Sequence, residues 1–155
     1  MRKLRLYLET SVWNFMFADD APEKKAATKK LFAKAPGGEF EIFISEHVIL
    51  EIERTKSPDK RKQLFALIAK YKPVILETTP EIVEISNKYL ENGVLSEKHI
   101  DDIRHLSYAS ANDIHVLVSW NLKHLVRHST KIKANAVNKM NGYGEIDICR
   151  PEELI

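Results

Sequence analysis

At 155 residues, 44% of them hydrophobic, the chain has the size of one domain and enough apolar material for a real core. Its formal net charge of +2 excludes the strongly basic or acidic balance that would by itself point to a partner. The single cysteine, Cys149, excludes a disulfide framework and a cysteine-based zinc site. No run approaches the ~18 apolar residues of a membrane span, and Met1 to Leu8 is too briefly apolar for a signal peptide, so the expectation is a soluble, cytoplasmic protein.

In chain order, Leu4 to Leu8 is a short strand ending at Glu9-Thr10-Ser11, followed by a helical segment over Val12 to Phe17. Asp20 and Glu23 have capping-box spacing and open a Lys/Ala helix that Pro36-Gly37-Gly38 stops. Phe40 to Ile44 is the second strand, and Ser45 reads as the N-cap of a helix carrying Val48, Ile49 and Ile52 inward, with Glu51 and Glu53 beside them. Ser57-Pro58 starts a helix to about Tyr71, Val74 to Leu76 is a third strand, and Thr79-Pro80 starts the next helix, with Gly93 as its C-terminal cap.

The stretch from His99 to Leu125 organises the rest. Asp101 and Asp102 fall in the first turns of an amphipathic helix through Ser110, Asn112-Asp113 turn the chain, and His115 to Ser119 form a β-branched strand ending in Trp120-Asn121. Thr130 to Asn141 is a helix, Ile146 to Cys149 a last strand and Pro151 to Leu154 a final turn. Strands alternating with helices, with no repeat or linker, predict one domain: a three-layer α/β/α sandwich with a mainly parallel sheet. Its polar strand ends then share one edge, the usual place for a site.

Four polar positions belong to that edge: Glu9, Glu51, Asp102 and Asn121. Carboxylates gathered there repel one another unless a cation is present, and hard oxygen ligands favour Mg²⁺ or Mn²⁺. Such an ion activates water and steadies a phosphodiester, and no residue of the chain stands out as a protein nucleophile.

The stretches LYLETSVWNF, SEHVILEIE, DDIRHLSYA and VLVSWNLKHLV resemble, in order and separation, those of PIN domains, above all the small prokaryotic members that include VapC-type toxins. The resemblance spans essentially the whole chain. It implies an α/β/α nuclease that cleaves RNA with Mg²⁺ or Mn²⁺ held by three or four acidic residues. Those positions fall on Glu9, where the family has Asp, on Glu51, on Asp102 with His105 at the following His position, and on Asn121, where the family's least constant acid stands. Glu9 carries its oxygens about one bond further out than Asp, and Asn121 offers a carbonyl but no charge. Resemblance to the toxins also implies a small antitoxin partner and a homodimer.

Around these four, Thr10, Ser11, His105 and Ser119 are candidate positioning residues, with Thr10 and Ser11 alternatively capping the next helix. Asn121 is equally a cap for a short helix over Leu122 to Val126, and Asp102 a complement to a helix dipole. His124 and His128 have i, i+4 spacing and read as a polar helix face. Trp13, Phe15, Phe17 and Trp120 read as core. No acidic residue occurs between Asp113 and Glu145, and Lys123, Arg127, Lys131 and Lys133 make this segment a candidate RNA-binding face beside the acidic edge. Two functions stay open: a metal-dependent endoribonuclease, or a PIN-like module that has lost catalysis through Glu9 and Asn121 and keeps RNA or protein binding.

Overall fold

The structure is a computed structural model and describes residues 2–155. In β1 (Leu4–Leu8) the residues Leu6, Tyr7 and Leu8 are buried in succession, with no alternation, as expected of a central parallel strand covered on both faces. It pairs in parallel with β2 (Phe40–Ser45) on one side and β4 (Val116–Val118) on the other. β3 (Val74–Leu76) extends β2 and β5 (Asp147–Cys149) extends β4, giving the order β3-β2-β1-β4-β5.

The strands leave β1 first in one direction and then in the other. Right-handed crossovers therefore place α1 (Thr10–Phe15), α2 (Pro22–Lys34), α3 (Glu46–Glu53) and α4 (Pro58–Tyr71) on one face. By the same rule α5 (Pro80–Glu91), α6 (Ile100–Ala111) and α7 (His128–Met140) lie on the other. The packing agrees: α1 meets α2, α3 and α4, while α5 meets α6 and α7. The expected α/β/α sandwich is the observed fold, and the strand order reverses at β1, the switch point where open sheets form crevices.

Local chemistry sets the elements that reach this crevice. Ser45 caps α3, its hydroxyl accepting from the amides of His47 and Val48, and Val48 and Ile52 then bury one helical turn apart. α6 is buried from His105 through Ser110, because small residues let α5 approach. Ser107 Oγ lies 2.7 Å from Ser86 Oγ, and the Tyr89 hydroxyl of α5 is 2.8 Å from Ser110 Oγ and 2.5 Å from Asn138 Oδ1 of α7. Gly93, at φ 66°, ends α5 with the Val94 amide on the Tyr89 carbonyl, the C-terminal cap expected of it.

Some expectations are corrected. Asp20 does not cap α2: the helix opens at Pro22, a residue suited to the first helical position, which puts Ala21 at the N-cap, and alanine has no side-chain acceptor to offer. The first helix opens at Thr10, two residues earlier than expected, because Glu9 supplies the cap, and neither Thr10 nor Ser11 does. Residues 122–126 are turns and no helix forms there. Asn121 Oδ1 takes the His124 amide at 3.1 Å and the Asn121 carbonyl takes the Val126 amide at 2.9 Å, so local side-chain bonding displaces the helical pattern. His124 therefore lies in the turn while His128 opens α7, and the two share no helix face.

Candidate metal centre

Glu9 follows β1, and its amide continues the sheet ladder to the Val118 carbonyl at 3.0 Å. The residue is 7% exposed and its side chain folds back onto the chain. One oxygen accepts from the Ser11 amide at 3.0 Å, the other from the hydroxyls of Ser11 and Ser119 at 2.6 Å each. Those hydroxyls in turn accept from the amides of Trp120 and Asn121, both at 2.9 Å. Glu9 is thus a buried carboxylate bound on both oxygens, tying the end of β1 to the end of β4.

Glu51 projects from α3 and uses Oε1 to accept from Thr10 Oγ1 at 2.6 Å and from His105 Nε2 at 2.5 Å. Burial raises a carboxyl, but the His105 bond and charge, Thr10 and the neighbouring His47 outweigh it and hold Glu51 down at about 2. His105, 1% exposed, moves the opposite way: burial disfavours its charge, and Glu51, Glu9 and Asp102 together raise it. The two shifts describe one buried ion pair.

The far nitrogen of that imidazole, Nδ1, lies 2.7 Å from the Tyr7 hydroxyl, itself 2.7 Å from Ser45 Oγ. Tyr7 is held neutral well above its usual range, by burial first, with the Ser45 bond opposing and the charges of Glu9 and Glu51 adding. A connected chain therefore runs from the cap of α3 through β1 to α6 and back to α3.

Asp102 stands half-buried in the first turn of α6. Burial and the charge of Glu9 push its carboxyl up, while His105 and the side chain of Asn121 oppose the rise. With its oxygen committed to the turn, Asn121 has only its amide N–H groups left to oppose the rise at Asp102. Burial raises Asp102 most and Glu9 adds to it, and a divalent cation would relieve the second of these, a hard-ion chemistry that carboxylate oxygens suit.

His47 was not among the residues singled out from the sequence. It precedes Glu51 by one helical turn, and its Nε2 lies 2.9 Å from Asp101 Oδ1, joining α3 to α6 across the crevice. Its ring meets that of His105 at 5.1 Å and 71°, and burial and His105 keep it below its usual range. His47, Glu51 and His105 can each offer one donor atom such that all three lie within 4.8 Å of one another. The i, i+4 spacing from Glu51 was the available signal.

The basic candidates separate. Lys123 and Arg127 are exposed in the turns after Asn121 and Lys133 is exposed on α7, whereas Lys131 bonds Asp147 at 2.6 Å, which raises its pKa. The His124 ring stacks on His99 at 3.7 Å, and its charge is disfavoured by burial and then by His99, Arg127, Lys123 and Lys98. The start of α6 and the turns after β4 thus share a basic rim. Trp13 and Trp120 are buried as expected, bonded to the Leu8 carbonyl and to Thr28 Oγ1, while Phe15 and Phe17 are only partly buried.

No family model and no curated protein matches the chain. Among solved structures it is similar to a chain in the crystal structure of VapBC2 from Rickettsia felis bound to a DNA fragment from their promoter, with a TM-score of 0.59 and 14% identity, over 95% of this chain and 98% of that one. It also matches a tyrosyl-tRNA synthetase complexed with L-tyrosine from Archaeoglobus fulgidus, with a TM-score of 0.49 and 11% identity, over 94% of this chain and 53% of that one. The first likeness, together with the five-stranded parallel sheet, makes the fold the PIN-like α/β/α sandwich that the four sequence stretches imply.

Proposed function

We propose that the protein is a divalent-metal-dependent endoribonuclease of PIN type. The observation that carries this is the charge of Glu9 felt at Asp102, where it adds to the burial that raises the Asp102 carboxyl, with Glu51 on the neighbouring α3. In this reading Glu51 and Asp102 hold an Mg²⁺ or Mn²⁺ ion, Glu9 supplies the third charge from its serine cradle, and Asn121 steadies Asp102 through its amide. The ion, when bound, supplies an acidified water and a counter-charge for the phosphodiester.

His105 fixes the Glu51 carboxylate through Oε1 and leaves Oε2 for the ion. No protein nucleophile is called for: Cys149 is buried at the end of β5, and burial, then Glu153 and Asp147, push its thiol up to about 12. Lys123 and Arg127, beside Asn121, would draw the RNA backbone to the crevice, with Lys133 further along. Likeness to a VapBC2 chain supports a toxin of a toxin–antitoxin pair with a small antitoxin as partner; the same reading takes the protein as a cytoplasmic homodimer.

The test is cleavage of a labelled structured RNA with Mg²⁺, with Mn²⁺ and with chelator. Metal-dependent cutting by the native protein and at least a 100-fold loss in Asp102→Asn, with unchanged thermal unfolding, is the expected outcome. Equal cutting by both proteins would remove Asp102 from the site. One observation favours the second reading, a binding module without catalysis: both oxygens of Glu9 are already satisfied by Ser11 and Ser119. RNA bound but never cut, with activity appearing only after Glu9→Asp and Asn121→Asp together, would decide for it.

A further inference from the structure

The crevice carries two imidazoles whose outer nitrogens are both already held. His105 presents Nδ1 to the Tyr7 hydroxyl at 2.7 Å and turns Nε2 toward Glu51, while His47 presents Nε2 to Asp101 Oδ1 at 2.9 Å and leaves Nδ1 free of that bond. A carboxylate or hydroxyl on the outer nitrogen of a histidine is the arrangement that orients imidazoles as metal ligands and raises their basicity. Glu51 lies one turn beyond His47 on α3, with its carboxylate steadied by Thr10 Oγ1 at 2.6 Å. The three donor atoms already lie within 4.8 Å of one another, and the imidazoles meet edge to face.

We propose that His47, Glu51 and His105 form a mixed nitrogen–oxygen site for a borderline transition-metal dication, taking Zn²⁺ or Co²⁺ in preference to Mg²⁺. This rests on the reading of the crevice as a metal centre: the site shares Glu51 with the Mg²⁺ or Mn²⁺ position and is an alternative to it, since His105 then ligates in place of bonding Glu51. Two nitrogens and one carboxylate suit ions in the upper part of the Irving–Williams order, whereas Mg²⁺ favours oxygen and gives up water reluctantly. Glu9, with both oxygens engaged by Ser11 and Ser119, contributes charge to such a site without ligating.

Binding would release to solvent the proton that lies between His105 Nε2 and Glu51 Oε1 and would move those two atoms apart from their 2.5 Å separation, since donors of one ion stand about 3 Å from each other. His105 then keeps its other proton on Nδ1, directed at the Tyr7 oxygen, and Tyr7 donates onward to Ser45 Oγ.

The experiment is a titration of the metal-free full chain with Zn²⁺, Co²⁺ and Mg²⁺ in the absence of RNA, followed by calorimetry and, for Co²⁺, by visible absorption. Zn²⁺ and Co²⁺ are expected to bind at least 100-fold more tightly than Mg²⁺. His47→Ala should weaken Zn²⁺ at least tenfold and leave Mg²⁺ within twofold, and Asp101→Asn should weaken Zn²⁺ in the same direction. The stacked imidazoles of His99 and His124 are the competing place for a soft ion, so His124→Ala must leave Zn²⁺ affinity unchanged.

His105 is too buried for its alanine variant to be relied on to fold, so its ligation is read on the native protein. Pulsed electron paramagnetic resonance of the bound Cu²⁺ form should show coupling to two imidazole nitrogens, reduced to one in His47→Ala. Zn²⁺ affinity indifferent to His47, or lost with His124 instead, overturns the proposal. Absence of RNA cleavage with every ion overturns the nuclease reading and leaves these binding results standing.

Discussion

His105 and Glu51 tie the chemistry of the crevice to the stability of the chain. Glu51 falls from 4.5 to about 2 on folding, so its contribution is complete above pH 4.5 and is lost as pH falls through about 2. His105 rises above 6.5, so its contribution is complete below pH 6.5 and is lost as pH rises through the raised value. The pair therefore stabilises most between about pH 4.5 and 6.5, by up to about 3 kcal/mol from the size of the Glu51 shift. Urea unfolding of the native protein and of Glu51→Gln at pH 3, 5.5 and 8 checks this. The difference between them should be largest at pH 5.5 and shrink on both sides; a constant difference would mean that Glu51 acts through packing alone. Glu51 was visible in the sequence because a carboxylate on the helix that follows a strand stands near the edge where sites form. Tyr7 and His47 were not: a tyrosine in an apolar strand reads as core, and a histidine one turn from Glu51 gains meaning only when α6 lies opposite.

α3 depends on one hydroxyl at its start. Ser45 takes two amides of the first turn and also meets the Tyr7 hydroxyl at 2.7 Å, so one side chain starts the helix and satisfies a fully buried phenol. Ser45→Ala removes the cap, worth about 1 kcal/mol, and deprives the phenol of a partner, at about 1–3 kcal/mol. Chemical denaturation should therefore show a loss on the order of 2–4 kcal/mol, well beyond that of an ordinary cap. A loss under about 1 kcal/mol would show that Tyr7 finds another partner. The cap itself was legible, since a serine between a β-branched strand and an apolar helix has a clear local role. The cap of α2 was misread because Asp20 and Glu23 fit the spacing, whereas Pro22 marks the first helical position and puts Ala21 at the cap. The segment 122–126 was misread because Asn121 can serve a helix or a turn, and its Oδ1 bond to His124 fixed the turn.

Across the whole molecule, charge balance hides a local asymmetry. Lys98, His99, Lys123 and Arg127 gather at the crevice from two elements separated in sequence, while Lys131 is paired with Asp147. Binding of a labelled RNA in chelator, followed against salt concentration, separates these roles. Arg127→Ala should weaken binding across sequences and lower the salt slope by about one unit, whereas Lys131→Ala should change binding less than twofold and cost stability instead. Equal effects would place the RNA over both. The acid-free segment after Asp113 announced the basic character, but only the chain path tells which lysines meet solvent and which meet an acid.

The order of strands and helices, the burial of β1 and β4, the capping serines and the acidic strand ends all follow from local pattern, because periodicity, β-branching and turn chemistry act over a few residues. From them the α/β sandwich and the edge that carries the candidate site were within reach. Which polar groups touch was decided by tertiary structure alone. Glu9 is closed by Ser11 and by Ser119, 110 residues away, and His105 joins Tyr7 and Glu51 from a third element. Hydrogen bonds between such groups depend on strand register and on where helices cross the sheet edge to within about an ångström, and local spacing does not encode that.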